Sequence, residues 1–213
     1  MLEVGVYITH PLAVSARKSI HQLLEGLPYS MHPRALRYRR IEDAYNFILG
    51  RMLLQRGLKD LEINDSIEDI KIAEDGKPFL PSVFFNISHT SNRVVCAISQ
   101  KGRIGIDIEE KKEVELKNFE SWFTAKEWKA ITESEVSLLK FYRYWTRKES
   151  IIKALGLKLS YLNQIELDIQ KDVFEENGKK WYLTEIALGA DYKGSLCSEF
   201  TLELPIQMKY IDF

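Results

Sequence analysis

Apolar and polar residues alternate from Leu2 to Thr9, the pattern of a strand with one buried face. The period then changes: Ile20, Leu23, Leu24 and Leu27 keep helical spacing and predict a helix from Val14 to Leu24, stopped by Gly26 and Pro28. A second helix is predicted from Ile41 to Gln55, with Gly57 as its C-terminal cap. Between them Pro33 to Arg40 forms a basic segment carrying Arg34, Arg37, Arg39 and Arg40. Asp75-Gly76-Lys77-Pro78 reads as a turn joining two extended stretches.

Three short β-rich runs follow, Phe84–Ser88, Val94–Ser99 and Ile104–Glu109, and predict an antiparallel meander. Helical character then runs in pieces from Leu116 to Leu155. Strands are predicted at Gln164–Ile169, Trp181–Ala187, Leu196–Leu204 and Met208–Ile211. The order strand, helices, strands occurs twice, and the second round starts near Ile104. The expected architecture is α+β, with two similar lobes in pseudo-twofold arrangement, residues 1–102 and 103–213, and a small-molecule site between them.

Composition narrows the function more than the fold. The chain has 213 residues, 45% of them hydrophobic and 29% charged, which excludes a mainly disordered or low-complexity chain. Thirty Lys and Arg balance 31 Asp and Glu, so the broad positive surface of a nucleic-acid binder is not expected. No apolar run approaches the roughly 20 residues of a membrane span. Cys96 and Cys197 lie far apart, without metal-ligand spacing. The N-terminal residues read as a strand and not as a signal peptide, so a cytoplasmic location is expected.

Three segments hold candidate chemistry. In Ile104-Gly105-Ile106-Asp107-Ile108-Glu109 the isoleucines share one strand face, and Asp107 and Glu109 share the other, with Gly105 leaving open space beside them. Two carboxylates so placed either are solvated or hold a hard divalent cation such as Mg²⁺. In Phe141–Gly156 an apolar stripe predicts a packed helix, with Glu149 and Lys153 one turn apart at its boundary. That pair is either a surface ion pair or a carboxylate and an ammonium facing a cleft. Ser88-His89, at a strand end, is either structural or an anion-binding hydroxyl and imidazole. Without a G-x-S-x-G elbow, a Ser-His-Asp triad is not expected.

Together, in this order, the segments resemble a known family. Gly76-Lys77-Pro78, Asn86-Ile87-Ser88-His89-Thr90, Gly105-Ile106-Asp107-Ile108-Glu109 and Trp145-Thr146-Arg147-Lys148-Glu149-Ser150-Ile151-Ile152-Lys153-Ala154 are similar to the motifs of two-lobed 4'-phosphopantetheinyl transferases, the type that activates peptide synthetases. The resemblance implies transfer of the 4'-phosphopantetheine arm of coenzyme A to a serine of an apo carrier protein. It places Mg²⁺ on Asp107, Glu109 and Glu149, and catalysis on Asp107, Glu149 and Lys153. Coenzyme A would be held by Arg34, Arg37, Lys77, Ser88, His89 and Lys153. Lys148 is expected only to brace its helix.

The chain departs from the family pattern at Asn46, where an Arg usually follows Asp43 by three residues. That contact is either missing or supplied by Arg39, Arg40 or Arg51. The expected partners are the carrier protein and coenzyme A, with no nucleic acid and no membrane. A monomer is expected, since both lobes lie in one chain. The competing readings are a coenzyme A or nucleotide-binding module without transfer, and a Mg²⁺-dependent phosphodiesterase.

Overall fold

The computed structural model describes residues 4–213; Leu2 and Glu3 of the expected first strand lie outside them. β1 (Val4–Thr9) is followed by α1 (Pro11–Ser15), α2 (Ile20–Leu24), α3 (His32–Leu36) and the long α4 (Ile41–Asp60). Short β2 (Lys71–Ile72) and β3 (Pro78–Phe79) flank the Asp75–Pro78 turn, where Gly76 supplies a positive φ of 84°. The chain continues through β4 (Phe84–Thr90), β5 (Arg93–Ser99) and β6 (Ile104–Glu110). Helical pieces come next, ending in α5 (Ala125–Thr132) and α6 (Ser137–Leu155). β7 (Val173–Glu176), β8 (Lys179–Glu185), β9 (Tyr192–Ser198) and β10 (Met208–Tyr210) complete the fold.

Two four-stranded sheets, ordered β10-β1-β5-β4 and β6-β9-β8-β7, carry the α+β architecture. The lobes share one plan: a first strand, a long helix, then a hairpin whose second strand pairs antiparallel with the first strand. β1, α4, β4 and β5 correspond in this way to β6, α6, β8 and β9. Alternation along each first strand divides the core. Tyr7 faces α4 with Ile48, Leu53 and Ile98, while Val6 and Ile8 join Val95, Ile104, Ile106 and Ile108 between the sheets. A third cluster, with Phe123, Phe141, Ile151 and Trp181, packs under α6. β10 pairs parallel with β1, so the end of the chain returns to the first sheet.

Tertiary structure corrects five local expectations. The first predicted helix is split into α1 and α2, because Ser19 forms a capping box with Gln22 and starts a new helix there. α4 runs on to Asp60, and Gly57 is not its cap but a buried close contact. A Cβ there would stand 2.1 Å from Ile98 Cδ1 and 2.9 Å from Tyr7 Cε2. β6 does not extend the β4–β5 hairpin into a meander; it pairs with β9 in the other sheet. Its side toward β4 is bridged instead by side chains: Asn86 Oδ1 accepts from Ile106 N at 2.7 Å, and Thr90 Oγ1 from Glu110 N at 3.2 Å.

No strand forms over 164–169, although Ile165, Leu167 and Ile169 are buried there in alternation. Leu167 N donates to Glu127 Oε1, so a side chain takes the place of a ladder partner. The fifth correction concerns the last long strand prediction. β9 ends at Ser198, where Ser198 Oγ donates to Phe200 O at 2.6 Å and the chain leaves the sheet.

Candidate active site

β6 and α6 face each other across Gly105. The space beside that glycine is not open: a Cβ would lie 2.1 Å from Ser150 O and 2.4 Å from Ala154 N, so the helix backbone fills it. This close approach brings the side chains one strand repeat and one helical turn away into contact. Lys153 Nζ donates to Asp107 Oδ1 at 2.6 Å and lies 4.0 Å from Glu149 Oε2. From β4, Ser88 Oγ donates to the same Asp107 oxygen at 3.0 Å. Thr90 Oγ1 donates to Glu109 Oε2 at 3.2 Å, and Trp145 also hydrogen-bonds to Glu109.

Burial sets the electrostatics. Glu109 and Glu149 are both pushed up to about 7, first by desolvation and then by the neighbouring carboxylates. Lys153 stays above the ordinary lysine value despite its burial, because Asp107 and Glu149 favour its charged form. Neither the solvated acids nor the surface ion pair allowed by the sequence is what forms: Asp107 is 3% exposed, and the Glu149 side chain 12%.

Asp107 Oδ2 is buried without a hydrogen-bond partner. An orphaned carboxylate oxygen is a hard donor of the kind a divalent cation takes, and Glu109 and Glu149 add two further carboxylates whose charges act on the same neighbourhood. Among the described residues, no three His, Cys, Asp or Glu side chains converge as a ready metal cage.

His89, on the face of β4 opposite Ser88, lies toward α4 near Asn46 Nδ2 (3.5 Å), and is lowered by desolvation and by the Lys153 charge. Arg34 and Arg51 both pack on the Phe47 ring, at 5.0 and 5.3 Å from its centre. Desolvation and the Arg34 charge lower Arg51. Arg37 is exposed at the end of α3. Lys77 is placed otherwise than the sequence suggests. It is 7% exposed, its side-chain nitrogen donates to the carbonyls of Ile104, Lys153 and Ala154, and burial pushes its pKa down to about 7.

A profile of the 4'-phosphopantetheinyl transferase superfamily matches residues 103–199, which hold β6, α6 and β9. The chain is 35% identical over 176 residues to the 4'-phosphopantetheinyl transferase gsp of Aneurinibacillus migulanus, covering 78% of this chain and 73% of that one. The chain belongs to this enzyme superfamily. It is also 26% identical over 206 residues to the 4'-phosphopantetheinyl transferase Sfp of Bacillus subtilis, spanning 91% and 90% of the two chains. A third relative, psf-1 of Bacillus pumilus, is 33% identical over 153 residues, 69% of this chain and 65% of that one.

In this member of the superfamily, Lys148 turns away from the carboxylates of β6. Its ammonium is 2.5 Å from Glu127 Oε2, with both side chains 1% exposed. Sequence reasoning missed Glu127, which also accepts from Thr124 N and Leu167 N. The Thr124–Glu127 spacing is that of a capping box and was the available signal. Asn86 and Thr90 fall within a motif that carried the resemblance, though no role joining the lobes was expected of them; Arg103, which reaches the end of α6, carries no local signature. Among the described residues no helix is long and apolar enough to cross a membrane.

Proposed function

We propose that the protein moves the 4'-phosphopantetheine arm of coenzyme A onto a serine hydroxyl of an apo carrier protein, releasing adenosine 3',5'-bisphosphate. The observation that carries this reading is the contact of Lys153 with both Asp107 and Glu149 between β6 and α6, with Glu109 two residues along the same strand. The reaction is attack of an alcohol on the β-phosphorus of a pyrophosphate, which needs a base for the serine proton and cations for the developing charge.

In this reading Glu149 takes the serine proton. Burial raises its pKa to about 7 in the absence of metal; bound to Mg²⁺ it would be a weaker base, so its roles as base and as third metal ligand compete. Lys153, kept charged by Asp107, neutralises the pyrophosphate oxygens as the bond to the leaving group lengthens. Ser88 and His89 line the phosphate side from β4. Arg34 and Arg37 take the 3'-phosphate, and Arg51, stacked on the same Phe47 ring as Arg34, adds charge where Asn46 replaces the family's arginine. Asp107, Glu109 and Glu149 would hold Mg²⁺, which supplies charge neutralisation of the pyrophosphate when bound. Residues 1–102 thus serve the adenine and phosphate side of coenzyme A, and 103–213 the metal and the chemistry. The same reading has a cytoplasmic monomer that acts on neither nucleic acid nor membrane.

The test is the intact mass of an apo carrier protein after incubation with coenzyme A, with Mg²⁺ or with excess chelator. A gain of one phosphopantetheine arm, dependent on metal, is expected. Coenzyme A binding without any gain on several unrelated carriers would favour a binding module. Hydrolysed coenzyme A with unmodified carrier would favour a phosphodiesterase.

A further inference from the structure

The last turn of α6 ends against two cations from outside the helix. A helix leaves its final four carbonyls without internal partners, here those of residues 152–155. The chain itself satisfies Ile152 O, through the amides of Gly156 and Leu157. Lys77 Nζ takes the next two, Lys153 O and Ala154 O, and Arg103 Nη2 takes Leu155 O at 3.3 Å. The same Lys77 ammonium donates to Ile104 O, the first carbonyl of β6, at 2.6 Å.

Both cations are themselves fixed. Asp75 accepts from Lys77 N at 2.9 Å through Oδ1, and pairs with Arg103 at 2.5 Å through Oδ2. Gly156, left-handed at φ 76°, closes the arrangement: a Cβ there would stand 2.3 Å from Asp75 Oδ2 and 3.0 Å from Arg103 Nη2. One buried ammonium therefore ties the start of the strand that bears Asp107 to the residue whose side chain meets it, Lys153.

Resting on the transferase reading above, we infer that Lys77, assisted by Arg103, is a positioning residue. It holds the last turn of α6 in register with β6, so that Lys153 meets Asp107. Its ammonium makes no bond to coenzyme A. This differs from a phosphate-binding lysine in what a substitution changes. Loss of a phosphate ligand weakens coenzyme A binding, whereas loss of the tie leaves binding intact and misplaces the reacting groups.

The experiment compares the wild type with Lys77→Met by carrier-modification kinetics, by coenzyme A titration calorimetry, and by hydrogen exchange. With register lost, kcat should fall roughly tenfold to a hundredfold, the effect of small displacements in an active site. The coenzyme A Kd should stay within about twofold. Exchange should quicken for amides 150–157 while α4 keeps its protection. A Kd weakened about tenfold with unchanged exchange would make Lys77 a phosphate ligand and overturn the inference; so would an unchanged kcat.

Arg103→Met serves where Lys77→Met does not fold, since it removes only the Leu155 partner and the Asp75 pair. The same pattern at smaller size is expected, and an unaltered kcat and exchange profile would overturn the tie. Absence of transfer by the wild type would refute the transferase reading alone, because the exchange and calorimetric comparisons still test the cap.

Discussion

Lys153 Nζ and Asp107 Oδ1 stand 2.6 Å apart although 46 residues separate them, and one belongs to the longest helix of its lobe, the other to that lobe's first strand. The contact lies where the helix crosses a glycine. Asp107 has no second route to a cation in the described structure, and its other oxygen is unpaired.

Replacing Asp107 by Ala should therefore remove transfer by at least about 100-fold, the scale of losing a preorganised charge at a reacting phosphate. The fold should persist. Intact-mass kinetics on an apo carrier, beside far-UV circular dichroism, check both halves. Wild-type turnover in the variant would show that Asp107 holds nothing the reaction needs.

Glu109 and Glu149, both near 7 in the fold, set a pH dependence of stability in metal-free protein. A carboxyl with a raised pKa binds more protons folded than unfolded between its unfolded value, about 4.5, and 7. Stability from these two groups is thus full below pH 4.5 and is lost as pH rises through 7. In chelator the melting temperature should fall from pH 6 to pH 8 by this contribution, and Mg²⁺ should restore more of it at pH 8, where both carboxylates are free. Melting curves across that grid test the point; a Mg²⁺ effect larger at pH 6 than at pH 8 would contradict it.

Gly105→Ala should separate β6 from α6, since its Cβ would meet backbone and not a flexible side chain. The expected loss is about 1–3 kcal/mol in urea unfolding, as for overpacking of a core. Transfer should fall further than stability alone would dictate, because Lys153 moves away from Asp107. A folded variant at full turnover would mean that the close approach is not needed for chemistry.

Lys148→Met leaves Glu127 buried without its cation, and should destabilise the protein by about 3–5 kcal/mol. Urea unfolding measures this. In protein still folded at the assay temperature kcat should be little changed, because Lys148 faces the Thr124–Glu127 cap and not the carboxylates of β6. A stable variant with lost turnover would reverse that assignment.

Much of this was readable from local pattern. Alternation in Ile104–Glu109 put the isoleucines on one face and the acids on the other, and the structure buries Ile104, Ile106 and Ile108 completely. The helical stripe of Phe141–Leu155 and the Asp75–Pro78 turn were equally plain. Partnership was less so. That β6 pairs with β9 and leaves the β4–β5 hairpin depends on strands nearly a hundred residues apart, and no local period encodes it. Gly57 and Gly105 look like an end and a gap in sequence; both are points where another segment presses in. Lys77 shows the same limit in charge: its motif suggested an anion, and the structure gives it three carbonyls.

The parallel pairing of β10 with β1 has a bearing on biosynthesis. Val6, Tyr7 and Ile8 face Met208, Lys209 and Tyr210, so the outer side of β1 stays open until residues 208–210 have been made. Arg17–Asp212 and Lys209–Asp60 add to that late closure. The sheet built on β1 is thus completed by residues that follow the second lobe in sequence, so the first lobe closes only after the second has been made. A nascent chain stalled short of Met208 should remain sensitive to protease in β1.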